Sequence, residues 1–329
     1  MFDSDRIAYF EKKEVSLDIF FADKPIDRAK LKRIGWGGIP MKHRPKAWRI
    51  LLGLNDVNRS LINRLKNYFI TVLKYNIPED FLLKGISFDN MSDHSIVNNK
   101  LNIPPRIFHQ IKIDVERIES CHKTFFINRN TPVDISYMYT NILSVIALRR
   151  SAVSYIQGMA DLLVPFITVF SAEKDTNLFI VESSAYHAFS RFVEPLQESI
   201  ISLQSGILSR FKQTMETIDP ALMEHLRNIN IEIHQFAFRW FNCYFIREFE
   251  MENVLVIIDT MLCSKHENYL DFALYFGTAL ISYFRSELIE KDFADGLMFL
   301  QNIREYKWTL QTLHVVFATA YIHQNIFLN

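Results

Sequence analysis

The sequence predicts an all-α fold, and three observations support this. Glycine supplies only 9 of the 329 residues, roughly 3% against about 7% in average proteins, which argues against turn-rich β architecture. Apolar residues recur at the spacing of one helix face through most of the chain. Alternating strand patterns bounded by Asn-Gly or Asp-Gly turns are lacking, since Asp295-Gly296 lies inside a helical pattern.

The helices can be predicted in order along the chain. A segment broken by Gly35, Gly37, Gly38 and Pro40 precedes a helix from about Lys42, and Pro104-Pro105 opens another near Ile107. Residues 89–102 are polar and predict a surface loop, as do residues 128–131, after which Pro132 precedes a further helix. Helical periodicity also marks residues 58–73, 142–148, 186–192, 207–218, 293–300 and 313–326.

Composition and charge limit the class of protein. Lys+Arg and Asp+Glu both number 37, so no global field attracts nucleic acid or an anionic membrane, although a local basic patch is still compatible with this balance. The cysteines, Cys121, Cys243 and Cys263, are widely spaced and predict a reducing compartment. The longest apolar runs, residues 162–170 and 272–284, are shorter than the roughly 18 residues of a membrane span. Residues 1–14 mix acids and bases, so we expect no signal peptide.

Several kinds of site chemistry lack their motifs. The chain has no GxxxxGK[ST] phosphate loop, no HExxH metal motif and no GxSxG nucleophile elbow. Its histidines and cysteines follow no metal-ligand spacing in the sequence. We therefore expect no cofactor, no metal and no self-contained enzyme, and a stand-alone hydrolase has no nucleophile to support it.

Two short segments remain as candidates for function. In the first, Ile111, Asp114 and Arg117 stand three apart and share one helix face; taken alone, this is typical of a surface helix with an i,i+3 ion pair. In the second, Gln157-Gly158 follows Tyr155 and precedes Asp161 and an apolar run. Taken alone, that pattern is typical of a polar residue at the start of a helix.

Together, and in this order, the segments resemble a known family. IxxDxxR at Ile111, Asp114 and Arg117 and YxQG at 155–158 are similar to the two motifs of the TBC domain family of Rab GTPase-activating proteins, nearest to its Gyp1-like branch. Further resemblance lies in Trp36xGly38-Ile39-Pro40, Arg44-Pro45xxTrp48, Phe236xPhe238-Arg239-Trp240xAsn242, Asp259-Thr260 and Phe299-Leu300-Gln301-Asn302 with Trp308. It covers the chain from about Ile7 to Phe327.

The resemblance implies a fold and a mechanism. It implies two helical lobes packed into a V-shaped TBC domain over residues 35–329, with a catalytic lobe at about 35–172, a second lobe at about 173–329 and a helical lead-in at 1–34. It implies that Arg117 is an arginine finger and Gln157 a glutamine finger, both inserted into a GTP-bound Rab-type GTPase that holds GTP and Mg²⁺. The chain would then be a GTPase activator in vesicle traffic and not an enzyme in its own right.

Supporting roles follow from the same resemblance. Asp114 would hold Arg117, Tyr155 would pack beneath the glutamine loop, and Gly158 would allow close backbone approach. Ile111 and Asp161 complete the supporting set, and Asp161 is one candidate acid for a structural arginine. Arg44, Trp48, Arg239 and Trp240 are expected to be structural.

Three positions depart from the family pattern, and one alternative function stays open. Ser151 and Ser154 stand where the family commonly has Pro and Gly, and Ile258 replaces the usual Trp before Asp259.

The alternative function is a catalytically silent Rab-binding scaffold of the same fold. We expect a cytoplasmic protein without a transmembrane segment or nucleic-acid partner, attached to Golgi or endosomal membranes at most peripherally, through the Rab. The sequence does not identify the Rab, the membrane compartment or the oligomeric state.

Overall fold

The computed structural model describes residues 4–23, 25–54, 63–72, 103–127, 131–149, 154–174, 176–195, 206–264 and 269–326. The regular secondary structure of these residues is almost entirely helical, which confirms the predicted all-α class. The chain forms two compact units. We call residues 41–194 the middle unit, and residues 1–40 with 195–329 the terminal unit.

The elements follow one another in this order. The helices are α1 (Ser4–Ala22), α2 (Arg28–Gly35), α3 (Arg44–Leu51), α4 (Pro105–Glu116), α5 (Ser136–Arg149), α6 (Met159–Ser171), α7 (Leu178–Phe192), α8 (Gly206–Ile218), α9 (Pro220–Asn228), α10 (His234–Asn242), α11 (Met251–Leu262), α12 (Tyr269–Tyr283), α13 (Arg285–Ile289), α14 (Phe293–Gln301) and α15 (Leu310–Ile326). A π-helical segment (Asn67–Val72) lies between α3 and α4, and 3₁₀ turns occupy Ser120–Lys123, Ile246–Glu248 and Ile303–Glu305. The strands β1 (Thr124–Ile127) and β2 (Thr131–Asp134) pair antiparallel, with Phe125 opposite Val133.

Helix α6 is the centre of the middle unit. Asp161 is its one charged residue, and the helix packs against α3, α4, α5 and α7. A helix that is apolar nearly all round is stable in water only when other elements cover it. From α3, the fully buried Trp48 places its ring 5.1 Å from that of Phe166, centroid to centroid. The helix that follows Gln157 is therefore held on several sides.

The terminal unit has a core built largely from aromatic rings. Helix α12 contains most of the apolar run at residues 272–284 and packs along α15, where Phe276 and Phe317 have ring centroids 5.7 Å apart. Trp240 of α10 is fully buried between Phe236 and Phe245. No helix among the described residues has the length and apolar character needed to cross a membrane.

Polar contacts hold the glycine-rich segment before Met41 within the terminal unit. Asp259 of α11 accepts a hydrogen bond from the Ile39 backbone N–H at 2.8 Å. The Lys13 ammonium donates to the carbonyls of Trp36 and Gly38, at 2.5 and 2.8 Å. Burial lowers the pKa of Lys13 to about 8, although the nearby Asp259 carboxylate acts in the opposite direction. Gly38 has a φ of 125°, a backbone conformation that residues with a Cβ atom rarely adopt.

The unit boundaries differ from the lobes expected from the sequence. The expected boundary near residues 171–175 lies inside the middle unit, because α6 and α7 pack together on either side of it. The expected lead-in at 1–34 belongs to the terminal unit, because α2 packs against α11, which lies far along the chain. Contacts between segments distant in sequence decide both boundaries.

Secondary structure differs from expectation at one point. Pro132 was expected to precede a helix, but it lies within β2, and the next helix begins at Ser136. The four-residue strands are too short for an alternating pattern to be distinctive. The expected helix at 58–73 is described only over residues 63–72, and the whole of the expected loop at 89–102 lies outside the described residues.

Candidate functional site

Arg117 lies at the C-terminal end of α4. Ile111 is fully buried and Asp114 is 7% exposed, whereas the Arg117 side chain is 65% exposed. The helix begins behind Pro104, as the proline pair predicts, and Arg117 immediately follows its last residue. A cation at this end interacts favourably with the helix dipole. The i,i+3 spacing thus presents a guanidinium to solvent above a buried carboxylate.

The Asp114 carboxylate connects the two sequence motifs. Its Oδ1 accepts hydrogen bonds from Arg117 Nη1 at 3.4 Å and from Gln110 Nε2 at 3.2 Å. Its Oδ2 accepts a shorter bond of 2.8 Å from the Tyr155 hydroxyl. One buried side chain therefore orients both the arginine and the tyrosine that stands two residues before Gln157.

The Tyr155 hydroxyl stays protonated in this environment. Burial is the largest cause that raises the pKa of Tyr155, followed by the hydrogen bond to Asp114 and then by the charges of Asp114 and Asp161. A protonated phenol can only donate to a carboxylate, so the direction of the bond to Asp114 is defined. Asp161, in the first turn of α6, thus adds negative charge beside the tyrosine.

Gln157 is exposed in the turn that leads into α6. Gly158 is the N-cap residue of that helix and has a φ of 101°, in the region that favours glycine. The Met159 N–H donates to the Ile156 carbonyl at 3.1 Å and closes the turn beneath Gln157. The glycine therefore allows the chain to turn sharply and to leave the amide of Gln157 in solvent.

Ser154 has an unusual backbone conformation for its residue type. Its φ is 57°, in the left-handed region, and its Oγ is buried without a hydrogen-bond partner in the described part of the chain. The sequence shows Ser where the resembled family commonly has Gly, and the structure gives that position the backbone conformation that glycine adopts without strain. The departure therefore strains this turn, three residues before Gln157.

Some residues that position the site were missed by the sequence analysis. Arg49 of α3 makes a bidentate ion pair with Glu173, with Nη1 2.7 Å from Oε1 and Nη2 2.6 Å from Oε2. Its Nη2 also donates a hydrogen bond to the Ser184 hydroxyl of α7. These contacts fix the C-terminal end of α6. Gln110 was also missed, although its place four residues before Asp114 on one helix is a usable signal. The pairing of Arg49 with Glu173 has no such signal, because the partners are distant in sequence.

The residues expected to be structural lie in the cores of the two units or beside them. Arg44 and Trp48 are buried in α3, and Trp240 is buried in α10. Arg239 binds the carboxylate of Glu248 through two nitrogens, at 2.6 and 2.7 Å, and donates to the Gln301 carbonyl at 2.6 Å. The acid that holds Arg239 is therefore Glu248.

One group of metal-ligating side chains meets in space although its sequence spacing matches no metal motif. The ligand atoms of Glu119, Cys121 and His122 lie within 4.8 Å of one another just after Arg117. Two of the three residues are exposed. Within the described residues, the 3₁₀ turn at Ser120–Lys123 brings them together.

Comparison with known proteins gives a consistent family assignment. The family model for the Rab-GTPase-TBC domain matches residues 41–289. The GTPase-activating protein gyp1 of Schizosaccharomyces pombe is 29% identical over 93% of this chain. TBC1 domain family member 22A of Homo sapiens is 27% identical over 95% of this chain. The chain spans 60% and 61% of the lengths of these two relatives.

Two solved structures resemble the fold. The crystal structure of the Ypt/Rab-GAP domain of Gyp1p matches with a TM-score of 0.76 and 26% identity, covering 97% of this chain and 99% of that one. A Chlamydomonas flagellar RabGAP TBC domain matches with a TM-score of 0.60, covering 97% of this chain and 91% of that one. The second is 16% identical, so it supports the fold alone.

Proposed function

Because this chain belongs to the Rab-GTPase-TBC domain family, we propose that it accelerates GTP hydrolysis on a Rab-type small GTPase by supplying Arg117 and Gln157. The S. pombe and Saccharomyces cerevisiae relatives are both named as GTPase-activating proteins. In this proposal the partner binds GTP and Mg²⁺, and the chain needs no cofactor or metal of its own.

The observation that carries the proposal is the contact that Asp114 of the first motif makes with Tyr155 of the second. Its carboxylate accepts hydrogen bonds from both Arg117 and Tyr155. Arg117 and Gln157 are nevertheless exposed, so their polar ends face solvent and not the core. Exposed side chains attached to a buried, hydrogen-bonded support are well suited to act on a second molecule.

The chemistry explains why these two residue types are needed. GTP hydrolysis accumulates negative charge on the phosphoryl oxygens and requires a water molecule in line with the bond that breaks. The Arg117 guanidinium keeps its charge and donates several hydrogen bonds to those oxygens. The Gln157 amide accepts from the attacking water through its oxygen and donates through its nitrogen. An arginine finger accelerates hydrolysis by about 10³–10⁵-fold.

Asp114, Tyr155 and Gly158 are positioning residues in this mechanism. The contact from Arg117 to Asp114 is long, at 3.4 Å, and most of the arginine side chain lies in solvent. Such a contact restricts the side chain without holding it tightly, so Arg117 can exchange a hydrogen bond to Asp114 for bonds to phosphate. Prior restriction reduces the entropy lost when the transition state forms.

Single-turnover GTP hydrolysis on a panel of purified Rab proteins tests the proposal. We expect the wild-type chain to accelerate at least one Rab. Arg117→Ala should reduce that stimulation by about 10³-fold or more. Gln157→Ala should reduce it by about 10²-fold or more, the effect of losing one transition-state hydrogen-bonding group.

Matched control variants separate the site from general effects of charge and fold. Arg106→Ala removes an exposed arginine from the same helix α4, and Gln213→Ala removes an exposed glutamine from α8; both should keep wild-type stimulation. Binding of Rab–GTP with no acceleration by the wild-type chain would favour the silent scaffold. Full stimulation by Arg117→Ala would exclude the arginine-finger mechanism.

A vesicle-traffic role, a cytoplasmic location and peripheral attachment to Golgi or endosomal membranes would follow from the identity of the Rab.

A further inference from the structure

A cavity of about 840 Å³ lies within the terminal unit, whereas the residues of the proposed catalytic site belong to the middle unit. It is lined by residues of α2 and α15 together with Cys263, just after α11. Cavities of about 300–1,000 Å³ are the usual size of small-molecule sites. No residue of the two motifs at 111–117 and 155–158 contributes to its lining.

Positive charge is concentrated on the α2 side of the cavity. The eight residues of α2 include four bases and no acid, although the whole chain has no net charge. Three of the bases, Arg28, Lys32 and Arg33, line the cavity. The Lys32 ammonium is oriented by a hydrogen bond to the Ser264 carbonyl at 2.8 Å. Within the described part of the chain, Arg33 is exposed and makes no hydrogen bond or ion pair. This wall therefore favours an anion, and phosphate in particular.

The remaining lining is largely apolar and includes two aromatic rings. The ring centroids of Trp36 and Tyr321 lie 6.3 Å apart, at an interplanar angle of 75°. Ile322 and Ile326 of α15, close to Tyr321 in sequence, are also exposed. An inorganic phosphate ion is much smaller than the cavity and would leave both rings in water. A ligand that fits carries an apolar body as well as its anionic group.

Gln324 adds a buried hydrogen-bond donor to the lining. The residue is 4% exposed, and its Nε2 has no hydrogen-bond partner among the described residues. A buried donor that lacks a partner destabilises the folded state, because it has lost its hydrogen bonds to water. With the side chain rotated toward the cavity, an ester or phosphate oxygen of a bound ligand would accept this hydrogen bond, which neither a hydrocarbon nor a metal cation can do.

We propose that this cavity binds a phosphate ester with an apolar body, and that its source is an anionic phospholipid. The phosphate group contacts Arg28 and Arg33, the apolar body lies against Trp36 and Tyr321, and an ester oxygen accepts from Gln324. A phospholipid is favoured over a small water-soluble phosphate because the cavity, at about 840 Å³ and with the rings of Trp36 and Tyr321 in its lining, accommodates an apolar body. In membrane proteins, basic pockets between helices bind lipid head groups through the same pairing of cationic side chains with phosphate. This inference does not depend on the proposed catalytic function.

Isothermal titration of the full chain with dihexanoyl phosphatidic acid, kept below its micelle concentration, tests the chemistry. The comparison ligands are inorganic phosphate and dihexanoylglycerol, each of which lacks one half of the proposed ligand. We expect the phosphatidic acid to bind saturably. Each comparison ligand should bind at least about tenfold more weakly than the phosphatidic acid. Equal affinity for inorganic phosphate would indicate a free-anion site, and equal affinity for dihexanoylglycerol a purely apolar one. Either result overturns the proposal.

Variants of α2 and α15 test the location. Arg33→Gln should weaken binding about fivefold to tenfold, and Gln324→Leu should weaken it with little change in cavity shape. Lys30→Gln is the matched control, because Lys30 is an exposed base on the same helix whose ammonium lies over the Phe20 ring and does not line the cavity. Equal weakening by Lys30→Gln and Arg33→Gln would show general attraction to a charged helix and overturn the site.

Vesicle flotation distinguishes a membrane source from a free lipid. We expect the chain to float with phosphatidylcholine vesicles that contain phosphatidic acid and not with phosphatidylcholine alone, and Arg33→Gln should reduce flotation more than Lys30→Gln does. Binding to the short-chain monomer without flotation would remove the membrane as the source. Measurement of how strongly the same variants stimulate GTP hydrolysis by the Rab keeps the two proposals distinguishable, since Arg33→Gln should leave this stimulation in solution unchanged.

Discussion

Arg117 in the middle unit and Arg239 in the terminal unit are both paired with a buried acid, but the two pairs differ in tightness. Arg117 contacts Asp114 once, at 3.4 Å, and its side chain is 65% exposed. Arg239 binds Glu248 through two nitrogens and the Gln301 carbonyl through another bond, and its side chain is 40% exposed. The first arginine is available to a partner, whereas the second is committed to its own unit.

The acids of the two pairs also have different surroundings. Burial raises the pKa of Glu248 above its ordinary value, and the hydrogen bonds and charge of Arg239 act against that rise. Glu248 thus depends on its arginine to remain charged in the core. Asp114 has two further donors, Gln110 and Tyr155, so it keeps hydrogen bonds when Arg117 moves. Release of Arg117 from its acid should therefore cost less free energy than release of Arg239, because Asp114 keeps the hydrogen bonds from Gln110 and Tyr155.

The largest expected contrast in stability comes from replacing each arginine by alanine. Arg239→Ala should lower the free energy of unfolding by about 2–3 kcal/mol, because it leaves the Glu248 carboxylate buried without its cation. This loss is smaller than the loss expected for a fully buried ion pair, because Arg239 is partly exposed. Arg117→Ala should change it by less than about 0.5 kcal/mol. Urea denaturation of both variants measures the difference. Similar losses in both variants would mean that Arg117 is a structural residue as well.

Glu182 of α7 extends the comparison to a buried acid whose hydrogen-bond donors are uncharged. Its Oε1 accepts from Tyr68 at 3.0 Å and from Asn141 at 2.8 Å. Burial raises the pKa of Glu182 to about 7, and these two hydrogen bonds oppose the rise only in part. Between its ordinary pKa of 4.5 and about 7 the folded state therefore binds more protons than the unfolded state.

Stability should accordingly fall as pH rises through that window, and Glu182→Gln should remove the fall. The amide oxygen can still accept from Tyr68 and Asn141, and no charge is buried at high pH. We expect the variant to exceed wild type by on the order of 2–3 kcal/mol at about pH 8, and by little at about pH 5. Chemical denaturation at both pH values checks this, and a gain that is equal at the two would show that ionisation of Glu182 is not the cause.

Tyr155→Phe sharpens the account of the site itself. It removes the hydroxyl that donates to Asp114 and keeps the buried ring, so the support of both motifs weakens. We expect the stimulation of GTP hydrolysis by the Rab to fall about tenfold and the free energy of unfolding to fall by about 1 kcal/mol. Tyr68→Phe is the matched control, because it also removes a tyrosine bond to a buried carboxylate in the same unit. That variant should lose stability and keep its activity; an equal loss of activity would mean that stability alone governs the assay.

The smallest expected effect is at Ser154. Ser154→Gly relieves the left-handed backbone strain, and the greater freedom of glycine in the unfolded chain offsets part of the gain, so we expect stabilisation of about 0.5–1 kcal/mol. Ser154→Ala removes the same buried hydroxyl but keeps a Cβ on the strained backbone. Thermal unfolding of the two variants separates the causes. If alanine stabilises as much as glycine, the buried hydroxyl and not the backbone is responsible.

Much of the local structure could be predicted from the sequence. The periodic segments at residues 142–148, 186–192, 207–218, 293–300 and 313–326 all lie in helices, because a stripe of apolar residues is a local signal that tertiary packing reinforces. The short hairpin after Arg117 could not be predicted, because β1 and β2 are too short to show alternation. The lobe boundary could not be predicted either, because it depends on which distant helices pack together.

The roles of Arg117 and Gln157 remain predictions, and the structure adds the contacts around them. The sequence by itself determined the helical class, the family and the motif spacing that places Ile111, Asp114 and Arg117 on one face. Only the tertiary structure decided that Asp114 connects Arg117 with Tyr155, that Glu248 holds Arg239, and that bases of α2 share a cavity with Gln324. The physical reason is that periodicity and spacing act over one helix, whereas these contacts join residues from different elements, whose meeting depends on the packing of a whole unit.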